Sequence, residues 1–122
     1  MLDHVGLRTN RVKEMIAFYE AVLATLGISK QMDFGQAAGF GRPNELPFWI
    51  GEAEGGASVS SVHIAFVAET RDAVDAFYRA ALAHGAKDNG PPGLRPHYHE
   101  NYYGAFVLDL DGNNLEAVCH RL

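Results

Sequence analysis

Apolar residues recur along the chain in a pattern that predicts two amphipathic helices, each preceded by a short strand. The strands are expected over 2–8 and 61–67, where apolar and small residues alternate or run together. The helix positions repeat every three or four residues, as one buried face of a helix requires. They are Val12, Met15, Ile16, Tyr19, Val22 and Leu26 in the first helix, and Val74, Phe77, Tyr78, Ala81 and Leu82 in the second. Asn10 and Thr70 are the predicted N-caps, and Gly27 and Gly85 the predicted helix ends.

Further strands follow each helix and are separated by glycine and proline. They are predicted at about 32–40 and 47–51 in the first half, and at about 94–98, 103–109 and 114–119 in the second. Asp111-Gly112 is typical of a tight turn between the last two strands. Each half therefore reads β-α-β-β-β, which makes the fold class α+β.

The two halves also match each other in sequence. His4 and His63 are 59 residues apart, and Phe18-Tyr19 stands at the same distance from Phe77-Tyr78. A shared register over some twenty residues indicates an internal repeat. The sequence predicts one domain, 1–122, made of two modules at about 1–55 and 60–122, joined by the small residues 55–58.

Composition limits the kinds of partner. The 122 residues are 48% hydrophobic and 20% charged, with a net charge of −5, which favours an ordinary globular domain and speaks against nucleic acid or an anionic membrane surface. A single cysteine, Cys119, excludes an intrachain disulfide and a cysteine-based zinc site. No apolar run approaches the length of a membrane span, and the first residues have no signal-peptide pattern. We therefore expect a cytoplasmic protein with a small-molecule substrate or ligand.

Three side chains on three strands form a candidate metal site. Alternation places His4, Gly6 and Arg8 on one face of the first strand, and His63 on the matching face of its repeat. Glu116 stands in the middle of an otherwise apolar strand, where an unpaired carboxylate is costly. Two imidazoles and one carboxylate are ligands that suit Fe, Mn, Ni or Zn. The open alternative is that both histidines are structural and descend from a duplicated ancestor.

These motifs resemble the vicinal oxygen chelate superfamily, which contains glyoxalase I, bleomycin-resistance proteins and extradiol dioxygenases. The resemblance rests on 2–7, on the Phe18-Tyr19 helix, on 62–66 and on the run from Asp109 to Glu116. It implies paired βαβββ modules whose mixed sheet curls into a cup, with the helices outside and a divalent metal inside. On that pattern His4, His63 and Glu116 match three metal-ligand positions. The resemblance also implies a homodimer.

The chain departs from glyoxalase I at the fourth metal ligand. That ligand comes from the last strand of the first module, which here reads LPFWIG over 46–51 and has no His, Asp or Glu at its centre. Glu45 and Glu52 flank the strand without a convincing match. The site therefore resembles the three-ligand dioxygenase type more than glyoxalase I.

Other residues are candidates for proton transfer or for substrate contact. The segment 95–103 is dense in polar aromatic groups, and His97 or His99 is a candidate fourth ligand or general acid/base beside a catalytic Glu116. Arg8 is a candidate anchor for an anionic substrate. The remaining candidate contacts are aromatic: Phe48, Trp49, Tyr98 and Tyr103.

Two functions of different classes follow. The first is a small metal-dependent enzyme that chelates vicinal oxygens of its substrate, with lyase, isomerase or ring-cleaving oxygenase chemistry. The second is a metal-free binding protein that sequesters an aromatic or drug-like ligand, as bleomycin-resistance proteins do. In the second case Trp49, Tyr98, Tyr102 and Tyr103 matter more than the histidines.

Overall fold

The computed structural model describes residues 1–54 and 61–122, and the chain divides into two compact units, Met1–Ser60 and Ser61–Leu122. The linker predicted at 55–58 lies outside the described residues. No helix of the described residues is long and apolar enough to cross a membrane.

The first unit is a four-stranded mixed sheet with one helix. Its elements are β1 (Val5–Thr9), α1 (Val12–Ala24), β2 (Ser29–Asp33), β3 (Ala37–Gly41) and β4 (Phe48–Glu52). The strand order is β1-β4-β3-β2, with β1 parallel to β4 and the other pairs antiparallel.

The second unit repeats this arrangement. Its elements are β5 (His63–Val67), α2 (Arg71–Ala83), β6 (Lys87–Leu94), β7 (Tyr103–Leu108) and β8 (Asn114–Cys119). The strand order is β5-β8-β7-β6, and β5 runs parallel to β8. The α+β class and the two βαβββ modules are confirmed. Neither sheet closes on itself within the described residues.

Each helix covers one face of its own sheet, and that face forms the core. In the first unit Tyr19 of α1 is fully buried, with its ring centroid 5.0 Å from that of Phe48 in β4. In the second unit Val74, Phe77 and Ala81 of α2 are fully buried, and α2 contacts β6, β7 and β8. Because side chains alternate along a strand, the opposite face of each sheet is left for other uses.

The turn before β8 is confirmed as a tight turn. Gly112 has φ of +86°, and its N–H donates to the carbonyl oxygen of Asp109 at 3.0 Å. The buried carboxylate of Asp109 accepts from the backbone N–H groups of Asp111 and Asn113, both at 2.9 Å. This turn fixes where β8 begins.

Two strand predictions were wrong in detail. The strand expected at 94–98 is instead the end of β6 followed by a turn, in which Tyr98 N–H donates to the Arg95 carbonyl oxygen at 3.0 Å. Asn101 in that turn has φ of +63°, which strand pairing does not allow. The run 32–40 is two strands, β2 and β3, divided by a turn in which Gly35 has φ of +84°.

The helix termini confirm three of the four predicted boundaries. Thr70 caps α2, because its hydroxyl accepts from the Ala73 N–H at 3.0 Å. Gly27 and Gly85 have positive φ after the helices, of +76° and +102°. The prediction of Asn10 as the first N-cap was wrong: Arg11 holds that position without a side-chain cap bond.

Candidate functional site

The exposed face of the second sheet carries the strongest candidate site. Alternation along β8 places Leu115 and Ala117 toward α2 and leaves Glu116 on the opposite face. The strand register puts Ala65 of β5 and Phe106 of β7 on either side of Glu116. Glu116 is nevertheless only 1% exposed, so it is a buried carboxylate on a face without a helix.

His63 and Glu116 meet directly on this face. His63 Nε2 lies 2.8 Å from Glu116 Oε1, and the His63 side chain is 52% exposed. His63 stands two residues before Ala65, the β5 partner of Glu116, and the small Ala65 leaves room for the contact. The structure thus brings together two of the three predicted metal ligands.

Tyr102 holds the second oxygen of the same carboxylate. Its hydroxyl donates to Glu116 Oε2, so both carboxylate oxygens are engaged. Burial, and then the hydrogen bond to Glu116, raise the pKa of the Tyr102 hydroxyl well above its usual value. Gly104 makes the approach possible, because a Cβ there would lie 3.1 Å from the Tyr102 ring.

Arg95 lies across the same sheet face, next to Phe106. Its guanidinium carbon is 5.6 Å from the Phe106 ring centroid, and its Nη2 donates to the Pro91 carbonyl oxygen at 2.8 Å. The Phe106 ring in turn lies 6.2 Å from the His63 ring, centroid to centroid. Within the segment 95–103 the residues singled out from the sequence were the histidines and tyrosines and not Arg95, which directly follows β6.

The first sheet carries an open cavity of about 1430 Å³ on the face opposite α1. Its lining includes His4, Arg8 and Trp49. His4 immediately precedes β1, its side chain is 62% exposed, and its Nδ1 lies 2.8 Å from Asp3 Oδ1. Arg8 Nη1 donates to the Glu52 carbonyl oxygen at 3.3 Å.

Trp49 occupies the place in the first sheet that Glu116 occupies in the second. Glu116 pairs with Ala65, two residues after His63, and Trp49 pairs with Gly6, two residues after His4. The indole Nε1 donates to the Leu46 carbonyl oxygen at 3.0 Å. At the position of the absent fourth ligand, the strand therefore presents an aromatic ring.

In each half of the repeat, one residue predicted to contact the substrate lies instead on the face that the helix covers. Phe48 is buried beside Tyr19 and Phe40, on the α1 side of its sheet. The Tyr103 hydroxyl donates to Asp75 Oδ1 of α2 at 2.7 Å. Alternation explains both positions, since their neighbours Trp49 and Tyr102 take the opposite face.

The polar aromatic segment forms an exposed cluster of rings after β6. The His97 ring lies 4.3 Å from the Tyr98 ring and the Tyr98 ring 5.2 Å from the Tyr102 ring, centroid to centroid. His99 Nδ1 lies 3.1 Å from the Glu100 carbonyl oxygen, and its ring lies beside that of His120. Tyr102 thus links this cluster to Glu116.

Neither described unit by itself contains three His, Cys, Asp or Glu side chains grouped as a metal site. His63 and Glu116 belong to the second unit and His4 to the first. The complete three-residue ligand set therefore stays a prediction.

The family of the chain follows from comparison with known proteins. The family model of the Glyoxalase/Bleomycin resistance protein/Dioxygenase superfamily matches residues 1–117. The chain belongs to this superfamily. The comparison with curated proteins found no significant match.

Several solved structures share the fold of this chain. A glyoxalase/bleomycin resistance protein from Albidiferax ferrireducens T118 is 28% identical, with a TM-score of 0.80 over 96% of both chains. A glyoxalase/bleomycin resistance protein/dioxygenase family enzyme from Burkholderia phytofirmans PsJN is 20% identical, with a TM-score of 0.73 over 98% of both. A lactoylglutathione lyase from Agrobacterium tumefaciens is 17% identical, with a TM-score of 0.69 over 98% of this chain and 92% of that one.

Proposed function

We propose that the protein is a metal-dependent enzyme of this superfamily, in which His63 and Glu116 of the second sheet and His4 of the first hold a divalent metal. The observation that carries the proposal is the direct contact of His63 Nε2 with Oε1 of an almost fully buried glutamate. A buried carboxylate is costly without a partner, and imidazole nitrogen and carboxylate oxygen are both ligands that divalent transition metals take.

The donor atoms fit a metal in their chemistry and spacing. Two ligand atoms bound about 2.1 Å from one ion, at right angles, lie roughly 3 Å apart. His63 Nε2 and Glu116 Oε1 are 2.8 Å apart. Imidazole nitrogen together with carboxylate oxygen suits Fe, Mn, Ni or Zn, and the structure favours none of these over another.

A bound metal would supply a Lewis acid that accepts adjacent oxygens of a small substrate. Tyr102 fixes the Glu116 carboxylate by donating to Oε2, which leaves Oε1 turned toward His63. Phe106 lies beside the His63 ring, with the two ring centroids 6.2 Å apart. The reaction we propose is of the lyase, isomerase or ring-cleaving oxygenase type.

Proton transfer is assigned to the groups around Glu116. His97 and His99 lie in the turn whose aromatic rings reach Tyr102, so they are the proposed acid/base groups at the edge of the site. With its raised pKa, the Tyr102 hydroxyl keeps its proton near neutral pH and serves as a hydrogen-bond donor.

A chelator-competition titration of metal affinity tests this proposal. We expect Glu116→Gln and His63→Ala to lose metal affinity by at least about tenfold. His84→Ala is the control, because His84 is exposed at the end of α2 and its Nδ1 lies 2.8 Å from the Ala80 carbonyl oxygen of that helix. Unchanged metal affinity in Glu116→Gln would contradict the proposal.

A second candidate function is metal-free sequestration of an aromatic ligand. It is supported by Trp49, which presents an indole in the cavity of the first sheet where a fourth ligand would stand. The Phe34 ring lies 6.5 Å from the Trp49 ring, centroid to centroid, at 5° between planes, and Phe34 is 68% exposed.

Trp49 fluorescence in chelator-treated protein separates the two functions, because Trp49 is the single tryptophan of the chain. Tight, saturable quenching by a planar aromatic cation such as ethidium, weakened in Phe34→Ala, would support sequestration. An unresponsive Trp49 would remove this candidate.

We further propose a cytoplasmic homodimer that takes a small-molecule substrate and no nucleic acid or membrane partner. The net charge of −5 supports the exclusion of polyanionic partners, and relatedness to the superfamily supports the dimer. Light scattering over a range of concentrations tests the oligomer: a mass of one chain at every concentration would contradict it.

A further inference from the structure

We propose that Arg95 forms an anion subsite beside His63 and Glu116, so that the substrate carries a carboxylate or another planar anion next to its metal-binding oxygens. This inference rests on the proposed function for its place in the reaction, and on the second sheet alone for its geometry.

The backbone of β6 is shaped to receive the guanidinium. A Cβ at Gly90 would lie 3.3 Å from Arg95 Nη2, and one at Gly93 would lie 3.1 Å from Nη1. Both contacts are closer than ordinary packing, and Gly90 also has φ of +143°, which favours glycine. Two glycines therefore allow Arg95 to lie flat against the sheet.

The Arg95 guanidinium is held by its neighbours, and most of its N–H groups are available for hydrogen bonds to a ligand. Phe106 supports one side, and the Pro91 carbonyl oxygen accepts one hydrogen bond. Over the ranges 1–54 and 61–122, no carboxylate forms an ion pair with Arg95. A guanidinium has five N–H donors in a fork that matches a carboxylate, so most of them are available to a ligand.

The Arg95 subsite lies next to the candidate metal ligands. Phe106 lies close to both the Arg95 guanidinium and the His63 ring, and it is the β7 partner of Glu116. Both oxygens of Glu116 are taken by His63 and Tyr102. The charge of Arg95 is therefore left for a ligand that lies over Phe106.

The test uses the whole metal-free protein and two probes of equal shape, benzoate and its neutral analogue benzamide, at constant ionic strength. Dissociation constants are measured by NMR titration of the Phe106 and Arg95 side-chain signals. We expect benzoate to bind about tenfold more tightly than benzamide, as a charge-assisted pair of hydrogen bonds predicts.

Arg71 provides a matched control. Its guanidinium also lies over an aromatic ring of the same sheet, 5.2 Å from the Tyr103 centroid, but on the α2 face. The preference for benzoate should disappear in Arg95→Gln, persist in part in Arg95→Lys and be unchanged in Arg71→Gln. Loss of preference in Arg71→Gln, or its full retention in Arg95→Gln, would overturn the inference.

The outcome is independent of the metal. A benzoate preference that depends on Arg95 supports the subsite even where wild-type protein binds no metal, a result that would contradict only the proposed function. Equal binding of benzoate and benzamide to wild-type protein, or binding of neither, would overturn the subsite and leave the metal proposal standing.

Discussion

Trp49 and Glu116 occupy equivalent positions in the two halves of the chain. Each pairs with the residue two places after the first histidine of its module, Gly6 in one sheet and Ala65 in the other. The two modules therefore share the histidine but differ in the residue opposite the position two places after it. One sheet presents an indole in an open cavity, and the other presents a buried carboxylate.

The Trp49 ring lies directly on Gly39, which gives a stability prediction. A Cβ at Gly39 would lie 2.9 Å from two carbons of the indole, so Gly39→Ala should displace the ring and lower the free energy of unfolding by about 1–3 kcal/mol. Gly51→Ala is the control, since its Cβ would lie at an ordinary 3.9 Å from Arg8. Chemical denaturation and the Trp49 emission spectrum measure both effects. Equal stability of the two variants would contradict this packing.

Tyr102 and Tyr103 are adjacent but take opposite faces, which separates site effects from packing effects. Tyr102→Phe should weaken metal binding by about tenfold, because Glu116 loses the donor that orients it. Tyr103→Phe should lower the free energy of unfolding by about 1 kcal/mol through the lost bond to Asp75, with metal affinity unchanged. Chelator competition and denaturation are the measurements. The reverse pattern would be inconsistent with the assigned faces.

The raised pKa of Tyr102 predicts a specific ionisation behaviour. Burial and the neighbouring Glu116 both disfavour the phenolate, so Tyr102 should still be protonated near pH 10, where an ordinary tyrosine is half ionised. Wild type and Tyr102→Phe should therefore show the same tyrosinate absorbance near that pH. Glu116→Gln should bring the Tyr102 ionisation to lower pH. A smaller absorbance in Tyr102→Phe would show that the hydroxyl ionises normally.

The Asp109 turn should be a stability determinant of the second unit. Asp109 is 5% exposed and its two oxygens accept from the backbone N–H groups of Asp111 and Asn113 and from Asn113 Nδ2. Asp109→Ala leaves these donors unpaired and should cost about 2–3 kcal/mol of unfolding free energy. Asp33→Ala, in an exposed turn, should cost clearly less. Thermal or denaturant unfolding measures both variants, and an equal loss of unfolding free energy in Asp109→Ala and Asp33→Ala would contradict this prediction.

Local patterns were enough to predict the repeat, both helices and the last strand. The helices and the turn depend on residues that are close in sequence. Examples are the buried residues at helical spacing, such as Met15 and Phe77, and the Asp111-Gly112 turn. The apolar neighbours of Glu116 indicated that an unpaired carboxylate would be costly there, and in the structure Glu116 is buried in contact with His63.

Contacts between residues of different elements were not predicted from the sequence. The Tyr102 bond to Glu116 and the Arg95 contact with Phe106 depend on the irregular pairing of β6 with β7 and on the turn after β6. Alternation puts neighbouring residues on opposite faces, but it does not say whether Phe48 or Trp49, or Tyr102 or Tyr103, faces the helix. The register against their partner strands is what assigns them.

The most direct test of the account is the metal content of the purified, tag-free protein, measured by plasma mass spectrometry beside a His4→Ala/His63→Ala double variant. We predict close to one equivalent of Fe, Mn, Ni or Zn per chain in the wild type and its loss in the folded double variant. Absence of bound metal after reconstitution with each ion would contradict the central claim and leave the aromatic cavity of Trp49 as the functional site.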